Sequence, residues 1–181
     1  MARSRFMRLG SRRITRASFL TLERDYLLAD DGRWTMREVV RHPGSVVVIP
    51  WDGEAVVMIE QYRHPAGRPV LELPAGKLDT AGEPPEQTAR RECIEEVGLS
   101  PASLKLIQGC FTSPGFTDEY SHIYLAEGLT GVPLDPQGIE EERAVVVRLT
   151  PDEIREGLRS LAFEDSTTLV GLYALMDHIE S

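Results

Sequence analysis

Between Gly76 and Leu99 the chain reads GKLDTAGEPPEQTARRECIEEVGL, and this segment restricts the fold more than any other. Proline lacks the N–H that a helix interior needs, so Pro84 and Pro85 can only open a helix, and Gly98 suits the left-handed residue that closes one. The spacing predicts a helix over 85–97. At about 100° per residue, Glu92 and Glu96 fall about 40° apart with Glu95 on the adjoining edge, while Ala89, Cys93 and Val97 form an apolar stripe on another side. Three carboxylates therefore converge beside a face that must be buried. Like charges at i, i+4 repel by roughly 0.2–0.5 kcal/mol, and anions in the last turns oppose the helix dipole by about 0.3–1 kcal/mol each. Two compensations are open. Arg90 and Arg91 can hold a solvated acidic face, or a hard divalent cation, Mg²⁺ or Mn²⁺, can bind the carboxylates and contact substrate phosphates.

A core must cover that helix. The chain has 181 residues, 41% hydrophobic and 27% charged, which suits one globular domain and disfavours disorder or a fibrous repeat. A net charge of −9 argues against nucleic acid or a membrane surface as the partner of the whole molecule. Residues 1–16 reverse that sign with six arginines and no acid, and they read as a basic N-terminal tail, or alternatively as an organelle transit peptide. Cys93 and Cys110 are too far apart for a CxxC motif, and no apolar run approaches the roughly 20 residues of a membrane span. The expected setting is the cytoplasm, or an organelle if the arginine-rich start is a transit peptide.

Strand-like runs at 19–28 and 34–41 flank an Asp-Gly turn, so residues 17–43 are expected to form an N-terminal β-hairpin, and 44–181 the main domain. The runs 46–50 and 55–62 are expected to pair as strands covered on both faces, given their unbroken β-branched content. Further strands are expected at 70–73, 104–111, 121–126 and 144–149, and further helices at 150–158 and 166–179. Thr150-Pro151 supplies an N-cap followed by proline at the first helical position. Helices embedded between strands make the class α/β.

The segment Glu83, Arg91, Glu92, Cys93, Glu95, Glu96, Gly98, Leu99 resembles, in register, the signature of the Nudix hydrolases. Two departures stand out. Six residues rather than five separate Gly76 from Glu83, and Cys93 stands where an aliphatic residue is usual. Outside this box, Glu60–Pro65, Glu72–Gly76 and Ser113–Glu119 look like the ADP-ribose pyrophosphatase branch, with Pro114 placed 15 residues beyond Leu99.

The resemblance implies an α/β/α sandwich with a mixed sheet. It also implies metal-dependent hydrolysis of the pyrophosphate of ADP-ribose, or of a related ADP-sugar, to AMP and ribose 5-phosphate. Carried over by position, Glu92 and Glu96 would be the main metal ligands, Glu95 a further ligand or a water bridge, the Ala75 carbonyl a backbone ligand, and Glu83 and Arg91 an orienting ion pair. The acidic run 140–142 would supply Glu140 as general base and Glu142 as a metal ligand. Arg63 and Glu119 would bind substrate, and a homodimer would offer Phe19 and Arg37 in trans. Alternatives are a Nudix hydrolase of GDP-mannose, NADH or FAD, or a nucleotide-sensing protein without catalysis.

Overall fold

The structure is a computed structural model that describes residues 5–180, and it divides into two compact units. The first comprises residues up to Gly44 together with Phe111–Tyr120. Its antiparallel sheet has the order β1 (Phe6–Arg16), β2 (Thr21–Ala29), β3 (Trp34–Arg41). The turn between β2 and β3 closes as expected at Asp31-Gly32, where Gly32 takes φ 82°.

Residues 6–16 were expected to be a tail, and they are a strand instead. Opposite them, β2 carries acids that the local composition of the N-terminus did not reveal. The Ser11 hydroxyl donates to Glu23 and Asp25, and an Arg8 guanidinium nitrogen lies 3.9 Å from Asp25. Cross-strand pairing thus complements the basic run. In the same unit, Arg41 pairs with Glu23, Asp25 and Asp118 at 2.5–3.1 Å, and Val40 exchanges backbone hydrogen bonds with Phe116 and Asp118.

The second unit comprises 45–110 and 121–180. One sheet has the strand order β7 (Ala75–Lys77), β4 (Ser45–Pro50), β10 (Tyr120–Glu127), β9 (Ser103–Phe111). It is mixed, because β4 runs parallel to β10 and antiparallel to β7. The other sheet is antiparallel, with β12 (Val145–Leu149) and β6 (Arg68–Glu72) flanking β5 (Val56–Arg63). Two-residue strands β8 (Leu99–Ser100) and β11 (Thr130–Gly131) pair separately.

The pairing expected between 46–50 and 55–62 does not form. Both edges of β4 are taken by β10 and β7, and Asp52 Oδ1 accepts from the N–H groups of Glu54 and Ala55 in the intervening turn. The turn between them is closed by an isolated bridge, Trp51 to Val56, and β5 enters the second sheet.

The helices are α1 (Pro85–Val97), the short α2 (Ile139–Glu142), α3 (Pro151–Ser160) and α4 (Ser166–Glu180). Alternation along the strands builds two cores. Val46, Val48, Val57, Ile59, Tyr124 and Ala126 meet Ala89, Cys93 and Val97 of α1 on one face. Val47, Ile49, Met58, Ile123 and Leu125 meet Ile154, Leu172 and Leu175 of α3 and α4 on the other. This is the expected α/β/α layering, and it explains why β4 is buried throughout. Thr150 caps α3 in a reciprocal box with Glu153. Among the described residues no helix is long and apolar enough to cross a membrane.

Gly98 ends α1 at φ 65°, and a Cβ there would lie 2.9 Å from the Val132 carbonyl oxygen. Backbone strain and this contact act together, so Gly98→Ala should destabilise the fold by roughly 1–2 kcal/mol, read as a lower denaturant midpoint at unchanged m-value.

Candidate active site

The site is built where α1 faces the turn entering β7. The buried side chains of α1 are Thr88, Ala89, Glu92, Cys93, Glu96 and Val97, so two carboxylates share the helix's inner surface with the apolar stripe. Burying a charge is costly unless it is paired, and each carboxylate has a backbone contact at β7. The Ala75 N–H donates to Glu96 Oε2 at 2.9 Å. Glu92 lies flat over Gly76, where a Cβ would come within 2.0 Å of the Glu92 carboxyl carbon. Only glycine allows that approach.

Electrostatics follow from this placement. Burial, reinforced by the charges of Glu95 and Glu141 and opposed by Arg91, pushes the Glu92 carboxyl up to about 7. Burial also pushes Glu96 up to about 8; the Ala75 N–H and Arg63 oppose it, while Glu92 and Glu141 add to it. Arg91 stands among the remaining acids, 2.9 Å from Glu92, 2.7 Å from Glu95 and 3.5 Å from Glu83. The Glu83–Arg91 pair expected from the sequence is therefore present, and it ties the loop before the helix to the helix itself. Arg90 turns away and donates to the Pro101 carbonyl.

The donor chemistry suits a hard divalent cation: buried carboxylate oxygens with raised affinity for positive charge, beside backbone at Ala75. Among the described residues no three Asp, Glu, His or Cys side chains converge at metal-binding spacing, and Glu95 and Glu83 pair with Arg91.

Arg63, at the end of β5, is held by Glu72 through Nε at 2.9 and 3.1 Å and Nη2 at 2.6 Å. The acidic run folds as α2, a feature the sequence did not suggest. There Glu140 lines a cavity of about 220 Å³ with Glu60, Tyr62, Arg143 and Val145, and Glu142 sits at the end of the single turn. Glu141 accepts from the Gln137 N–H at 2.6 Å, and its charge reaches both buried carboxylates. Nothing in a run of three identical residues marks the middle one from sequence alone. In the N-terminal unit, Arg37 donates to Thr35 and to the Met36 carbonyl, and Phe19 meets His42 edge-on at 5.5 Å. Glu119 accepts from the Thr112 hydroxyl at 2.9 Å.

A family model described as NUDIX domain matches residues 41–168, a span that contains α1, β7 and the acidic run. The chain belongs to the NUDIX family. Among NUDIX relatives, the "ADP-ribose pyrophosphatase" of Mycobacterium tuberculosis is 42% identical over 133 residues, covering 73% of this chain and 64% of that one. The protein of the same name from Bacillus subtilis is 37% identical over 146 residues, covering 80% and 78%. The "Methanol dehydrogenase activator" of Bacillus methanolicus is 38% identical over 156 residues, covering 85% and 83%. A solved structure described as "Crystal structure of ADP compounds hydrolase" superposes with a TM-score of 0.85 at 20% identity, over 97% of this chain and 94% of that one, and shows that the NUDIX fold is shared.

The raised carboxyls make a signed prediction. Both titrate above the unfolded value of 4.5, so the native state retains protons that the unfolded chain releases between about pH 4.5 and 8. In the presence of chelator, unfolding free energy should fall as pH rises from 5 to 8, by an amount of order 1 kcal/mol or more. Glu96→Gln should flatten the slope, and added Mg²⁺ should restore stability most at high pH. Denaturant titrations at several pH values check this, and stability that rises over the same range would contradict it.

Proposed function

We propose that this NUDIX hydrolase cleaves the pyrophosphate bond of ADP-ribose, or a related ADP-sugar, to AMP and ribose 5-phosphate with Mg²⁺ or Mn²⁺. The observation that carries the reading is the pair of buried carboxylates, Glu92 and Glu96, seated against the backbone of Ala75 and Gly76. Two relatives named for ADP-ribose, at 37% and 42% identity, support the choice of substrate. Glu92, Glu96, Glu95 and the Ala75 carbonyl would hold the metal, which when bound neutralises phosphate charge and lowers the pKa of water.

The chain's own residues then have distinct tasks. Arg63 presents a guanidinium to the phosphates, and the carboxylates of α1, committed to cation, are poor proton acceptors. An acid outside the helix must take the proton of the attacking water, and the run Glu140–Glu142 offers it. The sequence pointed to Glu140 as base and Glu142 as ligand. Within this run it is Glu141 whose charge adds to the shift at both Glu92 and Glu96, which supports giving it the base role and leaving Glu140 to the cavity it lines.

A homodimer fits the N-terminal unit. Phe6, Met7, Leu9, Trp34 and Met36 are exposed on its sheet, an apolar surface of the kind that association buries. In that assembly Phe19 and Arg37 of a second copy would stack on adenine and contact phosphate, and Glu119 would add a polar contact. The buried thiol of Cys93 suits a reducing, cytoplasmic setting.

A panel of ADP-ribose, other nucleotide sugars, GDP-mannose, NADH and FAD, read by product identity, tests the substrate. ADP-ribose should lead, and a value of kcat/KM about 100-fold below another member would remove it. Glu141→Gln should lower kcat by roughly 10²–10⁴-fold with KM and metal dependence little changed, whereas Glu140→Gln should cost far less. The reverse order returns the base to Glu140. Sedimentation should give twice the mass of 20.2 kDa.

A further inference from the structure

The face that β5 and β6 turn toward the site carries one acid with no part in the reading above. Period-two alternation puts Ile59, Gln61 and Arg63 on one side of β5, and the register opposes Ile59 to Glu72 of β6. Glu72 is 6% exposed, yet the Arg63 side chain it binds is 42% exposed. The asymmetry is informative. A carboxylate buried to that degree needs strong partners, and Glu72 takes the Nε and Nη2 edge of Arg63, while Gln61 Nε2 donates to it at 3.3 Å. A guanidinium has five N–H donors in one plane, so this grip occupies one edge and leaves the Nη1 side for a second planar acceptor. Arg63 also lies near enough to Glu96 and to Asp165 to feel their charges, so the guanidinium belongs to the same locality as the buried carboxylates.

The geometry points to Glu72 as a positioning residue: it clamps one edge of the Arg63 guanidinium so that the other is held, pre-oriented, for the phosphate oxygens of the substrate. The inference rests on the reading that Arg63 contacts those phosphates. A flexible arginine on a strand end would lose rotamer freedom on each binding event, and the clamp removes that loss in advance. Glu72 also stands three residues before Ala75, so the turn that presents a backbone atom to Glu96 begins at the residue that orients Arg63.

The test is a double-mutant cycle on ADP-ribose hydrolysis, with thermal melts of every variant. Glu72→Gln should raise KM about tenfold while kcat stays within about twofold and the melting temperature near that of the parent. Arg63→Ala should raise KM at least as much, and Glu72→Gln added to Arg63→Ala should change KM no further, because the residue acts only through the guanidinium. Arg63→Lys should resemble Arg63→Ala, since an ammonium has no second planar edge. If Glu72→Gln does not fold, Glu72→Asp, which keeps the charge but shortens the reach, is carried through the same cycle with a smaller KM increase expected. Equal effects of the Glu72 change with and without Arg63, or a lowered melting temperature with KM unaltered, overturn the clamp. If Arg63→Ala raises KM and Glu72→Gln does not, Arg63 keeps its phosphate contact and the positioning role alone is lost. If Arg63→Ala leaves KM unchanged, the phosphate contact itself fails and the clamp falls with it.

Discussion

The second unit depends on the burial of two carboxylates that helix α1 turns inward rather than outward. Glu92 and Glu96 occupy positions where a globular protein usually places apolar side chains; Arg91 lies 2.9 Å from Glu92, and Glu96 is met by the Ala75 N–H and, from farther off, by Arg63. Left alone, such a pair resists ionisation. A bound divalent cation, as proposed above, would favour the ionised pair, and binding it would then release energy that burial withholds from the fold. The surrounding structure is arranged to keep this poise. Arg91 absorbs Glu95 and Glu83 at the periphery, and the two apolar cores anchor α1 and the strands beneath it so that the carboxylates cannot swing out to solvent.

What the sequence disclosed was mostly what local chemistry decides. Pro85 and Gly98 bound α1 at the residues expected of them, and Thr150 caps α3 through its side chain, because these residue types restrict φ or supply an acceptor whatever lies around them. The apolar run Val46–Pro50 of β4 is covered on both faces for the same reason: no other placement hides it. The errors came from contacts distant in sequence. The expected pairing of β4 with β5 was overridden by β10 and β7, which offer β4 a parallel and an antiparallel partner from far along the chain. The acid-free run at 6–16 reads locally as a tail, and its pairing as a strand depends on β2, which sets Glu23 and Asp25 against it.

Within the site the same division holds. The helix phase of Glu92, Glu95 and Glu96 was readable from spacing, since an α-helix converts separation directly into angle. Glu72 is an acid set among Val70, Leu71 and Leu73, but its partner lies across a ladder that only the register reveals. Among Glu140, Glu141 and Glu142, a single turn of helix decides which carboxylate faces inward. That decision depends on a four-residue element too short to carry a periodic signal.

The run from Glu72 to Gly76 is also tied from behind. The Leu73 N–H donates to Thr168 Oγ1 at 3.0 Å, the Thr168 N–H donates to Asp165 Oδ2 at 2.7 Å, and Leu73 packs into the core beside Leu172 and Leu175. The last helix is therefore a strut for the segment that presents Ala75 and Gly76 to the carboxylates. A change at Asp165 or Thr168 is therefore far from Ala75 in sequence, yet it acts within one or two hydrogen bonds of the segment that carries it.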